Sequence, residues 1–152
     1  MTNKEKVIER AKNTLDIEAN ALISLKSRID SSFYEAVDLL LHCKGRVIIT
    51  GIGKSANIAQ KIVATLNSTG TPSLFLHASE AIHGDLGMVQ PDDVVICISK
   101  SGNSPEIKVL APIIKNFGTT LIGMTANPSS FLATSSDLVL LAHVDDESCP
   151  LG

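Results

Sequence analysis

The chain has 152 residues, a length that predicts one domain with its own core, and aromatic residues make up only 3% of it. A net charge of −3 without a Lys/Arg run argues against a nucleic-acid-binding face. The sequence lacks both an apolar run near 18 residues and a signal peptide, so we expect no membrane partner.

The amino-terminal section, 4–43, is predicted to be helical. Apolar residues recur at helical spacing over 4–29. A second apolar stripe runs from Phe33 to Leu41 and ends near the KG pair at 44–45.

From residue 45 the pattern changes to short apolar runs that alternate with helices. Strands are predicted at RVIIT (46–50), SLFLH (73–77), VVICI (94–98), TLIGM (120–124) and LVLLA (138–142). Helices are predicted at 55–68, 105–117 and 129–135. Strands that are apolar on both faces are typical of a parallel sheet covered by helices on both sides. The alternation predicts a doubly wound, three-layer α/β fold of flavodoxin or Rossmann type, with five parallel strands and a ligand beyond their carboxyl ends.

The loop after the first strand, GIGKS (51–55), predicts an anion site or a plain tight turn. A Walker A loop would need a glycine at position 48, where Ile48 stands. A dinucleotide site would need an acidic residue at the end of the second strand, where His77 stands. The remaining groups, backbone amides, the Lys54 ammonium and a Ser55 hydroxyl near the helix N-cap, suit an anion.

The loop SKSGNSPE (99–106) contains more hydroxyls than helix capping needs. Three serines, Ser99, Ser101 and Ser104, surround Gly102. A glycine at this position would let the backbone approach a ligand closely. A cap alone would use Asn103 or Ser104, with Glu106 completing a capping box. The surplus hydroxyls at a helix N-terminus favour a phosphate group.

Two further loops contain titratable residues. In HASEAIHGD (77–85), zinc is a minority interpretation because the spacing of His77 and His83 matches no helical pair of metal ligands. His83 is better placed to act on a hydroxyl or carbonyl oxygen of a ligand. HVDDESCP (143–150) is either a solvated loop or a source of one carboxylate.

Cys43, Cys97 and Cys149 are odd in number and widely spaced. This pattern argues against a disulfide framework and a structural zinc cluster, and it favours a reducing, cytoplasmic location. Cys149 has no visible activating neighbour, so a nucleophilic role is not expected.

The motifs GIGKS, STGTPSLFLHASEAIHGDLGMV, ISKSGNSPEI and ESCPLG together resemble the sugar isomerase (SIS) domain over residues 40–152. They are most similar to the arabinose-5-phosphate isomerase family. The resemblance implies interconversion of D-arabinose 5-phosphate and D-ribulose 5-phosphate through an enediol. That reaction feeds synthesis of 3-deoxy-D-manno-octulosonate (Kdo) for lipopolysaccharide or capsule.

The resemblance also implies a role for each matching residue. The residues that match phosphate-binding positions of the family are Ser55, Ser99, Ser101 and Ser104. Those that match catalytic positions are Lys54, Glu106 and Glu147, and those that match substrate contacts are Gly70, Thr71 and His83. His77 falls on a position associated with metal, often an inhibitory zinc, although no cofactor is required. Glu147 is the first candidate for the base, and Glu106 the second because it also suits a cap.

The sequence departs from the family in two ways. Lys100 and Asn103 differ from the residues that are usual in the serine loop of the family. We expect no functional consequence because neither residue supplies one of the hydroxyls. The family continues past CPLG with further helices, a distal histidine and often paired CBS domains, which this sequence lacks. The 152-residue chain alone is therefore expected to be poorly active.

Two alternatives stay open, namely a sugar-phosphate-sensing module without turnover and an isomerase for another phosphosugar. Most SIS domains associate, so we expect a dimer or tetramer in which the amino-terminal helix forms part of the interface.

Overall fold

The computed structural model describes residues 2–145 and 147–149. The helices are α1 (Asn3–Leu25), α2 (Ser31–Leu41), α3 (Lys54–Ser68), α4 (Ala78–Ile82), α5 (Pro105–Asn116) and α6 (Phe131–Ser135), with short 3-10 helices at Lys26–Arg28 and Asp85–Met88. The strands are β1 (Val47–Gly51), β2 (Ser73–His77), β3 (Val94–Ile98), β4 (Thr120–Thr125) and β5 (Leu138–Leu141).

All five strands form one parallel sheet in the order β2-β1-β3-β4-β5. The predicted doubly wound, five-stranded parallel sheet is confirmed, and the order is that of flavodoxin-like folds. The strand order reverses between β1 and β3, where Gly51 pairs with Ile98 at the carboxyl ends. The connections from these two strands diverge there, which opens a crevice at this edge.

The sheet separates two apolar clusters, because successive side chains of a strand point to opposite faces. Ile48 packs on one face with residues of α4, α5 and α6, and Ile49 packs on the other face with residues of α2 and α3. Both isoleucines are fully buried. The fold is therefore a three-layer sandwich with a buried central sheet.

At the amino edge of the sheet, Arg46 and Asp93 join the segments that enter β1 and β3. The Asp93 carboxylate accepts hydrogen bonds from the backbone N–H of Arg46 at 2.7 Å, from that of Gln90 at 2.9 Å, and from the Arg46 guanidinium at 3.1 Å. Burial by itself raises the pKa of Asp93, but these hydrogen bonds and the charge of Arg46 together lower it below its ordinary value.

The strand and helix positions agree with the predicted ones, and the differences lie at element ends and in one loop. The helix predicted over 4–29 ends at Leu25 and continues as a 3-10 turn, and the second helix ends at Leu41 instead of near 44–45. The loop predicted at 77–85 contains α4, which at five residues is too short for a periodic signal.

Helix α1 packs loosely, and none of its residues is buried. None of the helices in the described residues is both long enough and apolar enough to span a bilayer. In β3, burial raises the pKa of the Cys97 thiol to about 12, so this cysteine stays protonated.

Candidate functional site

A cleft of about 620 Å³ lies at the carboxyl edge of the sheet, above the point where the strand order reverses. Its walls come from the loops after β1, β3, β4 and β5: Ile52, Ser55, Ser99, Lys100, Ser101, Ser104, Ala126, Asn127, Pro128 and His143. The four serines predicted to bind phosphate therefore meet in one cleft.

Hydrogen bonds within the loop after β3 orient two of these serines. The Gly102 N–H donates to Ser99 Oγ at 3.1 Å, and the Asn103 N–H donates to Ser101 Oγ at 3.3 Å. In both cases the serine oxygen accepts, so its own O–H proton remains available to a ligand. The loop thus fixes the hydroxyls while keeping their donor capacity.

Ser104 has a different environment. Its Oγ is buried and has no hydrogen-bond partner among the described residues. A buried hydroxyl without a partner costs free energy unless a ligand or water completes it. Because Ser104 lines the cleft, a ligand oxygen bound there can provide the missing acceptor.

The two long helices that begin at the cleft lack side-chain caps. Among the six α-helices of the described residues, α1, α2, α4 and α6 are capped by the side chains of Thr2, Asp30, His77 and Ser130. Helices α3 and α5 begin at Gly53 and Ser104 without a side-chain cap bond. The Ala56 N–H in the first turn of α3 donates to the Gly53 carbonyl at 3.1 Å. The positive dipole ends of both helices, with the amides that precede Ala56 in α3 and those of the first turn of α5, can bind an anion.

The structure shows where Ser55 and Ser104 lie relative to the caps of α3 and α5. Ser55, predicted near the N-cap of α3, is the second residue of that helix, and the N-cap itself is Gly53 with φ +57°. Ser104 occupies the N-cap position of α5, but the capping box with Glu106 does not form. Both hydroxyls are thereby spared for the cleft.

Gly102 is required by packing within the protein. Its φ is +65°, and a Cβ at this position would lie 2.2 Å from Ser130 Oγ. The adjacent Asn103 accepts a hydrogen bond from the Phe131 N–H at 2.9 Å through its side-chain oxygen, which ties the loop to α6. The close approach of Gly102 is therefore to Ser130, and Asn103 has a structural role that the sequence did not suggest.

Lys100 is the functional candidate that sequence reasoning missed. Its side chain lines the cleft, and its ammonium forms an ion pair with the Glu147 carboxylate. Its position between the loop serines and Glu147 makes it a candidate that the sequence analysis set aside. The available signal was a cation placed between Ser99 and Ser101, two serines predicted to bind phosphate.

The predicted catalytic residues lie near the cleft without lining it. Lys54 is the first residue of α3 and is exposed, and Glu106 is the second residue of α5 and is half-buried. Glu147 is brought to the cleft edge by its pair with Lys100. His83 follows α4 on the same edge of the sheet and is exposed.

Gly70 and Thr71 lie at the opposite edge of the sheet. They precede β2, at the amino end of a strand whose carboxyl end faces the cleft side. The five residues of β2 at roughly 3.3 Å each separate the two edges by about 15 Å. Within one chain these two residues therefore cannot contact a ligand held by the four serines.

His77 acts as the N-cap of α4, where its Nδ1 accepts from the Ser79 N–H at 3.3 Å. Within residues 2–145 and 147–149, no group of three or more His, Cys, Asp or Glu side chains could hold a metal ion. A zinc ion at His77 would therefore need further ligands from outside the described residues.

Comparison with known proteins identifies the architecture. The model of the SIS domain matches residues 40–151. The chain belongs to the SIS domain family. The chain is 51% identical to arabinose 5-phosphate isomerase KdsD of Pseudomonas aeruginosa over 95% of this chain, and 48% identical to arabinose 5-phosphate isomerase KpsF of Escherichia coli O6:H1 over the same share. It spans 44% of the length of each of these curated relatives.

Solved SIS structures agree with the fold. The structure of E. coli CFT073 c3406 in complex with arabinose 5-phosphate superposes with a TM-score of 0.89 and 43% sequence identity, covering 100% of this chain and 80% of that one. This likeness extends over the sheet and the helices that form the cleft.

Proposed function

We propose that this SIS domain binds the phosphate of a pentose phosphate in the serine cleft and interconverts D-arabinose 5-phosphate and D-ribulose 5-phosphate. The observation that carries the proposal is the buried, unpartnered Ser104 hydroxyl at the uncapped N-terminus of α5. The relatives named arabinose 5-phosphate isomerase, and the complex of a related protein with arabinose 5-phosphate, support the choice of sugar.

The phosphate part of the proposal follows from donor chemistry. A phosphate group accepts many hydrogen bonds at once, and the cleft supplies four serine hydroxyls beside the N-termini of α3 and α5, which have no side-chain cap. The phosphate does not react. It fixes the sugar so that binding energy orients the reacting carbons.

The chemical step moves a proton between C1 and C2 of the sugar. A carboxylate removes the proton from one carbon and returns it to the other through a cis-enediol, and Glu147 at the edge of the cleft is our first candidate. Glu106 is the second candidate because it lies in the first turn of α5.

A lysine and a histidine complete the proposed chemistry. Lys54, next to cleft-lining Ser55, would polarise the carbonyl oxygen or stabilise the enediolate. His83 would assist ring opening or carry a hydroxyl proton. Gly70 and Thr71 lie at the far edge of the sheet from the cleft of their own chain, so we propose that a second copy supplies them as substrate contacts.

The resemblance supports further proposals about the protein as a whole. We propose a cytoplasmic homo-oligomer, a dimer or tetramer, whose product enters Kdo synthesis. We also propose that zinc, if bound at His77, takes its other ligands from another copy, and the chemical step above does not involve it.

The test is to incubate the intact protein with arabinose 5-phosphate and to follow ribulose 5-phosphate by NMR, with ribose 5-phosphate and glucose 6-phosphate in parallel. We expect turnover of arabinose 5-phosphate and much slower reaction of the other two sugars. Binding of arabinose 5-phosphate without turnover would instead favour a sensing module, and faster turnover of another sugar would identify a different isomerase.

The proton-transfer assignment has its own test. Glu147→Gln and Glu106→Gln keep the size of each side chain but remove its basicity, so we expect at least one of them to lower kcat by about a hundredfold or more. Near-normal turnover in both variants would contradict the assignment.

A further inference from the structure

Lys100 lies between the serine cleft and the carboxylate of Glu147. Its backbone is anchored to the end of β4, because its carbonyl accepts hydrogen bonds from the Ala126 N–H at 3.0 Å and from Thr125 Oγ1 at 3.1 Å. From this anchored point the side chain lines the cleft, and the ammonium pairs with Glu147. One side chain therefore contacts both the proposed phosphate site and the candidate base.

Other contacts hold the segment after β5 toward the amino-terminal helices. Arg28 Nη1 donates to the His143 carbonyl at 2.9 Å, and Ser148 Oγ donates to Glu18 Oε1 at 3.3 Å. These contacts fix the segment on either side of Glu147 but do not involve its side chain. Among the described residues, the contact that brings the Glu147 carboxylate to the cleft is the one with Lys100.

Within the described part of the chain, Lys100 is the ionic partner of Glu147. His143 pairs with Asp145 at 3.3 Å in the same segment, and Glu18 of α1 accepts from Ser148. Asp145 and Glu18 are acidic, so they repel the Glu147 carboxylate instead of pairing with it. The Lys100 ammonium attracts it.

We propose that Lys100 is a positioning residue, which holds the Glu147 carboxylate at the edge of the cleft where the substrate phosphate binds. The proposal rests on the proposed function, in which Glu147 is the leading candidate for the base. The side chains of Lys100 and Glu147 are 65% and 50% exposed, so the pair adds little to folding stability. Its consequence is therefore expected in the reaction, where the place and charge of the base decide the rate.

The test compares Lys100→Gln and Lys100→Arg with a matched control, Lys108→Gln, in the intact protein with arabinose 5-phosphate. Lys108 is an exposed lysine of α5 that forms no ion pair within the described residues. We expect Lys100→Gln to lower kcat about tenfold with KM changed less than about twofold, because the base loses its orientation. Lys100→Arg should recover most of the rate, and Lys108→Gln should match the wild type.

The pH profile adds a second measurement. Lys100→Gln removes a positive charge that contacts the Glu147 carboxylate, so we expect the acid limb of kcat to move to higher pH in this variant. An unchanged kcat and pH profile would overturn the proposal. A loss confined to KM would also overturn it, since that result identifies Lys100 as a phosphate ligand.

A measurement without substrate separates this proposal from the proposed function. The Glu147 carboxyl can be titrated by ¹³C NMR in the wild type and in Lys100→Gln, with Glu147→Gln to identify the signal. We expect the wild-type carboxyl to titrate at the lower pH, and equal midpoints would refute the role of Lys100. A wild type that titrates as expected but leaves arabinose 5-phosphate unchanged would refute the proposed function alone.

Discussion

Ser104 shows how one residue can indicate a ligand. Three hydroxyls in the described residues are buried without a partner, those of Thr50, Ser104 and Thr119, and of these only Ser104 lines the cleft. Its unmet hydrogen bond is a cost to the free protein that a bound acceptor relieves. This makes Ser104 a more specific marker of the proposed phosphate site than Ser99 or Ser101, which already accept backbone hydrogen bonds.

Replacing Ser104 should therefore affect binding and not folding. Ser104→Ala removes a hydroxyl that has no internal partner, so we expect no loss in the free energy of unfolding by urea denaturation. Affinity for arabinose 5-phosphate should fall roughly fivefold, the equivalent of about one hydrogen bond, in isothermal titration calorimetry. Ser129→Ala, in an exposed turn beside the cleft, is the control and should change neither quantity. Unchanged affinity in Ser104→Ala would remove the main support for the phosphate site.

At the scale of elements, the Arg46–Asp93 pair joins the entries to β1 and β3. Arg46 Nη2 also donates to the Met88 carbonyl at 2.7 Å, so one guanidinium connects the 3-10 helix Asp85–Met88 to the sheet. The Asp93 side chain is 1% exposed, and its position depends on these donors. The loops that follow β1 and β3 line the cleft at the other ends of these strands. The Arg46–Asp93 pair therefore helps to fix the positions of the two loops relative to each other.

The pair should make stability depend on pH in the acid range. The pKa of Asp93 is lowered in the folded protein, so its contribution is complete above the unfolded-state value near 3.8 and is lost as the pH falls through the folded value. We expect Asp93→Asn to lower the free energy of unfolding by roughly 2 kcal/mol at pH 7, because it weakens a charge-assisted hydrogen bond. The deficit should shrink as the pH falls below about 4, where the unfolded carboxyl takes up its proton first, and it should disappear once the folded carboxyl is protonated as well.

The control is Asp92→Asn at the neighbouring, exposed position, measured in the same denaturation series. It should cost little at either pH. If the deficit of Asp93→Asn were the same at pH 7 and pH 3, the stabilisation would come from packing instead of charge.

At the scale of the whole molecule, the least explained surface is the outer face of α1. Ile8, Leu15 and Leu22 recur every seven residues and are 46%, 65% and 70% exposed. A helix of about 35 Å with apolar side chains in such a row is typical of helices that pair. This surface supports the proposed dimer or tetramer, in which a second copy would cover the row.

Sedimentation velocity of the intact protein tests that expectation. We expect the wild type to sediment as a dimer or tetramer and the double variant Leu15→Glu, Leu22→Glu to shift toward smaller species, because charges would be buried at the interface. Asn20→Glu, which adds a charge on another face of α1, is the control. A monomeric wild type, or a double variant that sediments like the wild type, would contradict a role for this surface.

Much of the fold could be predicted from the sequence, because the signals are local. Runs such as VIIT and VVICI are apolar on both faces, and helical periodicity separates them, so a parallel sheet between two helical layers is the arrangement that buries them all. The serine-rich loop likewise predicted a phosphate cleft, since hydroxyls at a helix N-terminus have a defined chemistry. Helix α4 was missed because five residues carry no period.

The tertiary structure decided what meets at the cleft, because contacts between distant segments depend on strand order. Residues 70 and 71 are close to the sugar-phosphate motifs in sequence, yet the parallel direction of β2 puts them at the far edge of the sheet. Lys100 and Glu147 are 47 residues apart, and the packing of β3, β4 and β5 as neighbours brings them together. The sequence determined which types of residue the site contains. The order and direction of the strands determined which of these residues contact one another.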